Sequence, residues 1–219
     1  MDETAGTDPL RRLAAEEFFR DVTFDGIDAQ GVVFSGKEFL DCRFVHVKLQ
    51  GCGFRESRFE NCTFEDCDFT RVALRGARFV DARFVGCKLM GIDFTDVGRN
   101  PEVSFVECDL RYASFVDNNL RKVDFRGCRA SESNFIGCDL REANFAEADL
   151  SGANFENNDA TKANFATATG LFLSPARNRV KDAKISVESA VLLAMSSGLR
   201  VTGYGSAATA SDGKAAKPR

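Results

Sequence analysis

A large apolar residue recurs at every fifth position through most of this sequence, and this spacing constrains the fold more than any other feature. From residue 19 to residue 94 the recurring position is nearly always Phe or Leu, and after one extra residue near Pro101 it continues to Phe165. A small or β-branched residue lies two positions before most of these centres. A five-residue period is neither that of a helix nor that of a strand, so internal repetition decides the fold class.

Residues two apart in a short extended segment point to the same side, so the small and the large residue of each unit both face inward. The other three positions are mostly charged residues, Gly, Asn and Thr, which suit turns and solvent. A chain that turns after every unit winds into a coil, and stacked coils pair their backbones about 4.8 Å apart. The repeat therefore predicts an all-β solenoid over residues 19–170, with a one-residue insertion within 95–104.

Centres twenty residues apart indicate how many units make one coil. When the insertion is allowed for, one column contains only Phe and the column two units later is nearly the same. The first column is Phe24, Phe44, Phe64, Phe84, Phe105, Phe125, Phe145 and Phe165. This segregation predicts a four-sided coil in which aromatic rings stack along each column.

An outward column in the same alignment alternates in charge from one coil to the next. It contains Asp28, Lys48, Asp68, Lys88, Asp109, Arg129 and Asp149. Opposite charges at the interstrand spacing form cross-strand pairs that stabilise a sheet by roughly a few tenths of a kcal/mol each. We interpret these charge pairs as interactions that fix the register between successive coils. The alternative is that the column forms a recognition surface.

All eight cysteines occupy the small inward position of a unit. They are Cys42, Cys52, Cys62, Cys67, Cys87, Cys108, Cys128 and Cys138. This placement favours packing over disulfides or zinc, since free Cys behaves as a small buried hydrophobe and His46 is the single histidine. We expect reduced thiols, no metal site and no cofactor.

One side of the coil is less regular, because Lys37, Asn118 and Asn158 take inward positions there. A lysine cannot lie unpaired in a dry core, so we expect the first coil to be open and Lys37 to reach solvent. The asparagines are expected to bond to backbone in the corner. A functional pocket on this side is the alternative.

The N-terminal region, residues 1–18, predicts a polar lead-in and a short capping helix. Asp8 is a suitable helix cap and Pro9 a suitable first residue for a helix from Leu10 to Phe18. An extended lead-in to the first coil is the alternative.

The C-terminal region, residues 171–201, predicts a second cap. Ser186 is placed to cap a helix from Val187 to about Ser197. The helix has more apolar surface than one face needs, so we expect Val191, Leu193 and Met195 to contribute to dimerisation. Residues 202–219 are rich in Ala, Gly, Ser and Lys and predict a disordered tail.

Charge and hydropathy exclude several classes of protein. The net charge is −4, which implies no bulk affinity for nucleic acid or anionic membranes. No apolar run approaches the roughly 20 residues of a spanning helix, and the first residues lack the apolar core of a signal peptide. We expect a cytoplasmic protein. No nucleophile and base pair, metal cluster or phosphate loop indicates an enzyme, so no catalytic residue is assigned.

Four late units carry a recognisable motif: Ala143-Asn144-Phe145, Ala148-Asp149-Leu150, Ala153-Asn154-Phe155 and Ala163-Asn164-Phe165. They resemble the A(D/N)LXX signature of pentapeptide-repeat proteins, and the resemblance covers Phe19 to about Gly170. The length and the helical ending are most similar to the subgroup that confers quinolone resistance or immunity to albicidin or microcin.

That resemblance implies a right-handed quadrilateral β-helix, a homodimer joined at the C-terminal ends, and DNA mimicry that protects type II topoisomerases. This chain departs from the quinolone-resistance members, which project two loops, because only the extra residue near Pro101 interrupts its repeat. Loop-based protection of gyrase is therefore not implied, whereas a smooth-rod relative is compatible with this sequence.

Acidic residues are concentrated in the second half of the repeat, where residues 101–170 carry a net charge of −5. Acidic pairs stack on alternate coils, with Lys48, Lys88 and Arg129 between them. The pairs are Asp66/Asp68, Glu107/Asp109 and Glu147/Asp149. We expect these six residues to bind DNA gyrase or topoisomerase IV, and an ordinary solvated face is the alternative.

Two function classes follow from the sequence. The first is a DNA-mimicking protein that protects a topoisomerase from quinolone-like drugs or toxins. The second is a protein–protein interaction scaffold with no link to topoisomerases. The repeat determines the fold far more strongly than the function.

Overall fold

The computed structural model describes residues 9–97 and 100–203. Residues 1–8 of the predicted lead-in, Gly98 and Arg99 of the predicted insertion, and residues 204–219 of the predicted tail lie outside it. The elements are α1 (Pro9–Ala15), β1 (Phe18–Arg20), β2 (Thr23–Asp25), β3 (Glu38–Leu40), β4 (Arg43–Val45), β5 (Arg58–Glu60), β6 (Thr63–Glu65), β7 (Arg78–Val80), β8 (Ala82–Val85), β9 (Val103–Val106), β10 (Ser114–Val116), β11 (Asn134–Ile136), β12 (Asn154–Glu156), β13 (Asn164–Phe165), β14 (Lys184–Ile185) and α2 (Val187–Ser196).

Every strand pairs in parallel with the strand one coil away. Phe19 pairs with Phe39, and across the insertion Phe84 pairs with Phe105, a separation longer by the extra residue. The product is a parallel β-solenoid of about eight coils with a short C-terminal helix, roughly 38 Å long at the interstrand spacing. The predicted fold class is confirmed.

We name the four sides by the elements they carry. Face A carries β1, β3, β5 and β7, and face B carries β2, β4, β6, β8 and β9. Face C follows the column from Asp28 to Asp149, and face D carries β10, β11 and β12. Edge AB is the corner where faces A and B meet, and the other edges are named in the same way.

Stacked phenylalanines fill the core, as the column analysis predicts. Along face B the rings from Phe24 to Phe165 stack with centroids 4.6 to 5.4 Å apart. Rings from opposite faces meet edge to face, as Phe115 and Phe125 do at 5.8 Å. Both arrangements are favoured by the ring quadrupole, so the aromatic columns hold the coils together along the rod and across it.

The insertion distorts face A of one coil. The register has already shifted at Asp96, whose carbonyl accepts from Gly76. Pro101 then takes the position whose N–H should bond to Phe79, and because proline has no N–H, Glu102 donates to Phe79 instead. Asn100 consequently turns outward while Pro101 is buried, and the coil bulges.

The N-terminal cap differs from the prediction in its end point and in the role of Lys37. Helix α1 ends at Ala15, because Phe18–Arg20 already pairs with the second coil as β1. The expectation that Lys37 reaches solvent is wrong: the residue is 5% exposed, and its Nζ donates to the carbonyls of Ala14 and Glu16. The lysine therefore caps the C-terminal end of α1.

The winding continues beyond the predicted end at residue 170. Arg179 bridges Asp159, and Ile185 in β14 pairs with Phe165, both at the spacing of one regular coil. Ser186 then caps α2, its hydroxyl accepting from the N–H of Ser189, as the sequence predicts. Of the helices described, none is long and apolar enough to cross a membrane.

Candidate partner-binding surfaces

The structure divides the six predicted acidic residues into two groups. Glu107 and Glu147 are exposed on edge BC, and so is Asp66, whose carboxylate has only a distant ionic neighbour among the described residues, His46 Nε2 at 3.9 Å. Asp68, Asp109 and Asp149 belong to the charge ladder on face C, beside that edge. The two groups therefore lie together but differ in how far their charge is available to a partner.

The ladder pairs its charges as the sequence predicts. Lys88 Nζ lies 3.7 Å from Asp68, and Arg129 lies 2.8 Å from Asp109. The Asp109 carboxylate also accepts two bonds from the guanidinium of Arg111 and is 6% exposed. Asp109 is thus buried and neutralised within this chain, so it contributes little to a surface that attracts a cation.

The pKa of Asp109 reflects this environment. Burial opposes ionisation, but the hydrogen bonds from Arg111 and the charge of Arg129 outweigh it and lower the pKa below its ordinary value. The carboxylate therefore stays ionised at neutral pH as an internal partner of two arginines.

A second acidic row, on edge AB, was missed by the sequence reasoning. It contains Asp21, Asp41 and Asp81, with Asn61 between them donating to Asp41. None of the three carboxylates lies in an ion pair among residues 9–97 and 100–203. The three aspartates lie two positions after the centres Phe19, Phe39 and Phe79, so this row could have been found from the sequence.

Two of the acidic side chains on edge BC, Asp66 and Glu107, lie against a glycine of the following coil. Gly86 has a φ of +63°, and a Cβ at that position would lie 2.4 Å from Asp66 Oδ1. Any other residue at 86 would therefore displace the Asp66 carboxylate.

The three residues predicted for dimerisation do not share one face of α2. Met195 is 57% exposed, Leu193 is half-buried, and Val191 is 8% exposed. Of the three, Met195 is the most available to a partner and Val191 the least. The apolar side chains that remain exposed at this end are Phe172, Val187, Leu192, Met195 and Leu199.

The cysteines and the inward asparagines have structural partners. All eight thiols are free and buried, and the Sγ of Cys128, for example, bonds to the carbonyl of Phe105. The amides of Asn118 and Asn158 donate to backbone carbonyls of Phe94 and Phe135, as predicted. Within the described chain, no three His, Cys, Asp or Glu side chains are grouped to hold a metal ion.

Comparison with protein families gives a match to the pentapeptide repeat region over residues 37–98 and 101–155, more than half of the chain. Comparison with curated proteins gives no match.

Comparison with solved structures gives matches at low identity, of which three are reported. A trypsin-treated variant of QnrB1, a plasmid-mediated fluoroquinolone resistance protein, is 20% identical, with a TM-score of 0.49 over 84% of this chain and 97% of that one. HetL, involved in heterocyst differentiation regulation in the cyanobacterium Nostoc, is 16% identical, with a TM-score of 0.44 over 80% of this chain and 90% of HetL. Rfr23 from the cyanobacterium Cyanothece is 15% identical, with a TM-score of 0.26 over 68% of this chain and 95% of Rfr23. On the match to the repeat region, this chain belongs to the pentapeptide-repeat family.

Proposed function

We propose that this protein is a non-catalytic DNA mimic that binds DNA gyrase or topoisomerase IV and protects the enzyme from quinolone-like drugs or toxins. The observation that carries the proposal is that face B is flanked along both edges by exposed carboxylates. Edge AB supplies Asp21, Asp41 and Asp81, and edge BC supplies Asp66, Glu107 and Glu147.

Two rows of negative charge on either side of a long face correspond to the two phosphate strands that border a DNA groove. Equivalent positions in the rows are five residues apart in the chain, so the rows are separated by at most about 18 Å. Within a row, carboxylates repeat at roughly 4.8 or 9.6 Å, against about 3.4 Å per phosphate along one strand. The rod therefore offers a sparser charge pattern than DNA. Because ions in solution screen exposed charges, binding through these carboxylates should weaken as the salt concentration rises.

The test is a gyrase supercoiling assay with and without a quinolone, in which wild type is compared with an edge BC variant, Asp66→Asn with Glu107→Gln and Glu147→Gln. These changes keep side-chain shape and remove charge, so we expect protection to be lost while the fold is retained. Asp28→Asn is the control, since Asp28 is paired with Lys48 in the ladder and lies outside the six predicted residues, so this variant should still protect. Equal loss in both variants, or no protection by wild type, would contradict the proposal.

A second candidate function is a protein–protein scaffold unrelated to topoisomerases. The charge ladder favours it, since Asp68 and Asp109 are neutralised by Lys88 and Arg129 and leave the edge less acidic than a polyanion. In that case wild type would neither bind gyrase nor change its response to the drug.

We further propose that two rods join end to end through the exposed apolar surface around α2, and that the protein acts in the cytoplasm. The apolar residues left uncovered by the cap support the first point. Eight buried, unpaired thiols in the described chain suit a reducing compartment and support the second.

A further inference from the structure

Edge CD runs along the rod on the other side of face C from the acidic edge BC. Its corner residues on five successive coils are Gly51, Arg71, Gly91, Tyr112 and Glu132, as the backbone bonds between the coils show. The first four have no carboxylate side chain, so this edge differs from both acidic rows. Arg71 and Tyr112 are exposed on either side of Gly91.

Tyr112 occupies a turn for which glycine would be better suited. Its φ is +60°, in the left-handed region that is disfavoured for residues with a side chain. Among the described residues other than glycine with φ in that region, it is the only one that is not charged, Asn or His. Glycine fills the same corner on other coils, at Gly31, Gly51, Gly91 and Gly152. The turn itself therefore gives tyrosine no advantage.

The ring of Tyr112 also has no partner among the described residues. It is 59% exposed, it stacks on no other ring, and its hydroxyl makes no hydrogen bond with that part of the chain. Glu107, by contrast, lies along the following coil, 3.2 Å from where a Cβ of Gly127 would be. Tyr112 is followed at its corner by Glu132, so no glycine leaves that space for its ring. An exposed ring in a disfavoured turn points to a contact outside this chain.

Arg71 is the second projecting side chain of edge CD. It forms no ion pair within the part of the chain that the structure describes, unlike Arg111, which is bonded to Asp109. Arg71 and Tyr112 are two coils apart, roughly 9.6 Å at the interstrand spacing. Gly91 lies between them, and nothing is within 4 Å of where its Cβ would be. An acidic side chain that entered this notch would meet two hydrogen-bond donors, a guanidinium and a phenol.

Edge CD is within reach of a partner that is held by edge BC. Arg71 lies five residues after Asp66, and Tyr112 lies five residues after Glu107, each pair on neighbouring corners of one coil. The members of each pair are therefore at most about 18 Å apart. One protein surface can contact both edges across face C.

The acidic rows alone do not determine which protein binds. Coulombic attraction brings carboxylates to any basic surface, so every protein with a basic DNA-binding groove would attract the rod. A tyrosine ring and a free guanidinium have no counterpart on the outside of DNA. Tyr and Arg are also residue types that commonly dominate the energy of protein interfaces. They can add the discrimination that negative charge lacks.

We propose that Tyr112 and Arg71 select the enzyme that this protein binds. They contact a surface beside the DNA-binding groove of the topoisomerase, with an acidic side chain of the enzyme between the guanidinium and the phenol. This inference rests on the proposed function, because the enzyme is the one that the acidic rows attract.

The test compares the affinity of the full chain for purified gyrase with its affinity for poly-L-lysine, which reports attraction by charge alone. Tyr112→Gly should weaken gyrase binding at least tenfold, leave poly-L-lysine binding unchanged and not lower the urea midpoint of unfolding. Because tyrosine is uncharged, the salt dependence of the remaining gyrase binding should also be unchanged. The edge BC variant described above should instead weaken binding to both.

Two control variants match the changes at this edge. Asn157→Gly removes an uncharged side chain from an exposed corner of edge DA with φ of +57°, so it should bind gyrase as wild type does. Arg71→Gln should weaken gyrase binding at least threefold. Arg75→Gln removes an exposed charge from face D of the same coil, and it should have no effect.

The outcomes separate this inference from the proposed function. If wild type binds gyrase and Tyr112→Gly binds equally well, edge CD does not select the partner, although the proposed function stands. Equal loss toward gyrase and poly-L-lysine, or a lower urea midpoint, would show that Tyr112 acts through the fold, and would also overturn the inference. If wild type does not bind gyrase, the proposed function itself fails.

Discussion

The ammonium group of Lys37 lies 2.5 Å from the carbonyl oxygen of Glu16, so a residue of the second coil holds the segment that leads out of helix α1. A second bond of 3.2 Å reaches the carbonyl of Ala14. Burial lowers the pKa of Lys37, and the charges of Glu17 and Glu16 oppose that effect. The open end of the solenoid is thus closed by an inward cation and a helix that accepts its hydrogen bonds.

Replacing Lys37 by Met should release this cap. The change keeps an apolar stem of similar length and removes both hydrogen bonds, at an expected cost of about 1–3 kcal/mol. Hydrogen exchange should show lost protection in residues 9–15 and little change beyond the second coil. Lys162→Met, at an exposed corner, is the control and should change stability by less than about 0.5 kcal/mol. Unchanged protection of α1 would contradict the capping role.

The buried Asp109 predicts a dependence of stability on pH. Its folded pKa lies below the ordinary 3.8, so its stabilising effect is present above the unfolded pKa and is lost as pH falls through the folded pKa. Asp109→Asn should therefore destabilise the protein by about 1–3 kcal/mol at pH 7, and by progressively less as pH falls below 4. Urea unfolding at several pH values measures this. A cost that is independent of pH would contradict the ionic role.

A centre in the middle of the rod should be far more sensitive than an outward position. Phe125 stacks on Phe105 and Phe145 at 5.4 and 4.6 Å, so Phe125→Ala should cost about 3–5 kcal/mol by leaving a cavity between three coils. Thr95→Ala, at an exposed position, should cost less than about 0.5 kcal/mol. Equal losses in a denaturation series would contradict the inward assignment.

These residues also show which features the sequence could predict. The five-residue period specified the coils because inward spacing is a local property of a short strand, and it specified the Asp28 to Asp149 ladder because register follows from the same period. Lys37 was misjudged because its partners belong to a helix that packs across the open end. The burial of Val191 could not be predicted, since α2 is apolar on more than one side and the sequence does not show which side is covered.

The bulge on face A illustrates a different limit. The extra residue and Pro101 were both visible in the sequence, but the pairing that they change involves Phe79 and Ala82 of the preceding coil, which bond to Glu102. The sequence alone does not show which residue of a bulged coil takes over the bond that a proline cannot make.

The rate of thiol labelling should show whether the cysteines are buried packing residues or reactive groups. Burial raises the pKa of Cys52, and it raises the pKa of Cys138 to about 11, so little thiolate forms at pH 8. Cys42 accepts a hydrogen bond from Cys62, which lowers its pKa to about 7, but the side chain is fully buried. A thiol reagent should therefore label the native protein slowly and all eight sites together on unfolding. Rapid labelling confined to Cys42 would show that its low pKa matters more for reactivity than its burial. Binding of stoichiometric zinc would contradict the interpretation of the cysteines as packing residues.

Dimerisation should depend on the exposed side chains of α2 and not on the buried ones. Met195→Asp places a charge on an exposed apolar surface, so we expect light scattering to show a fall from about twice the 24.0 kDa chain mass to a monomer with unchanged unfolding. Val191→Asp places a charge at a buried position and should destabilise the cap itself. Val33→Asp is the matched control, since Val33 is 70% exposed near the opposite end and should leave the dimer intact. A wild-type protein that stays monomeric at high concentration while it still protects gyrase would show that α2 is only a cap, and that a single rod is sufficient for binding.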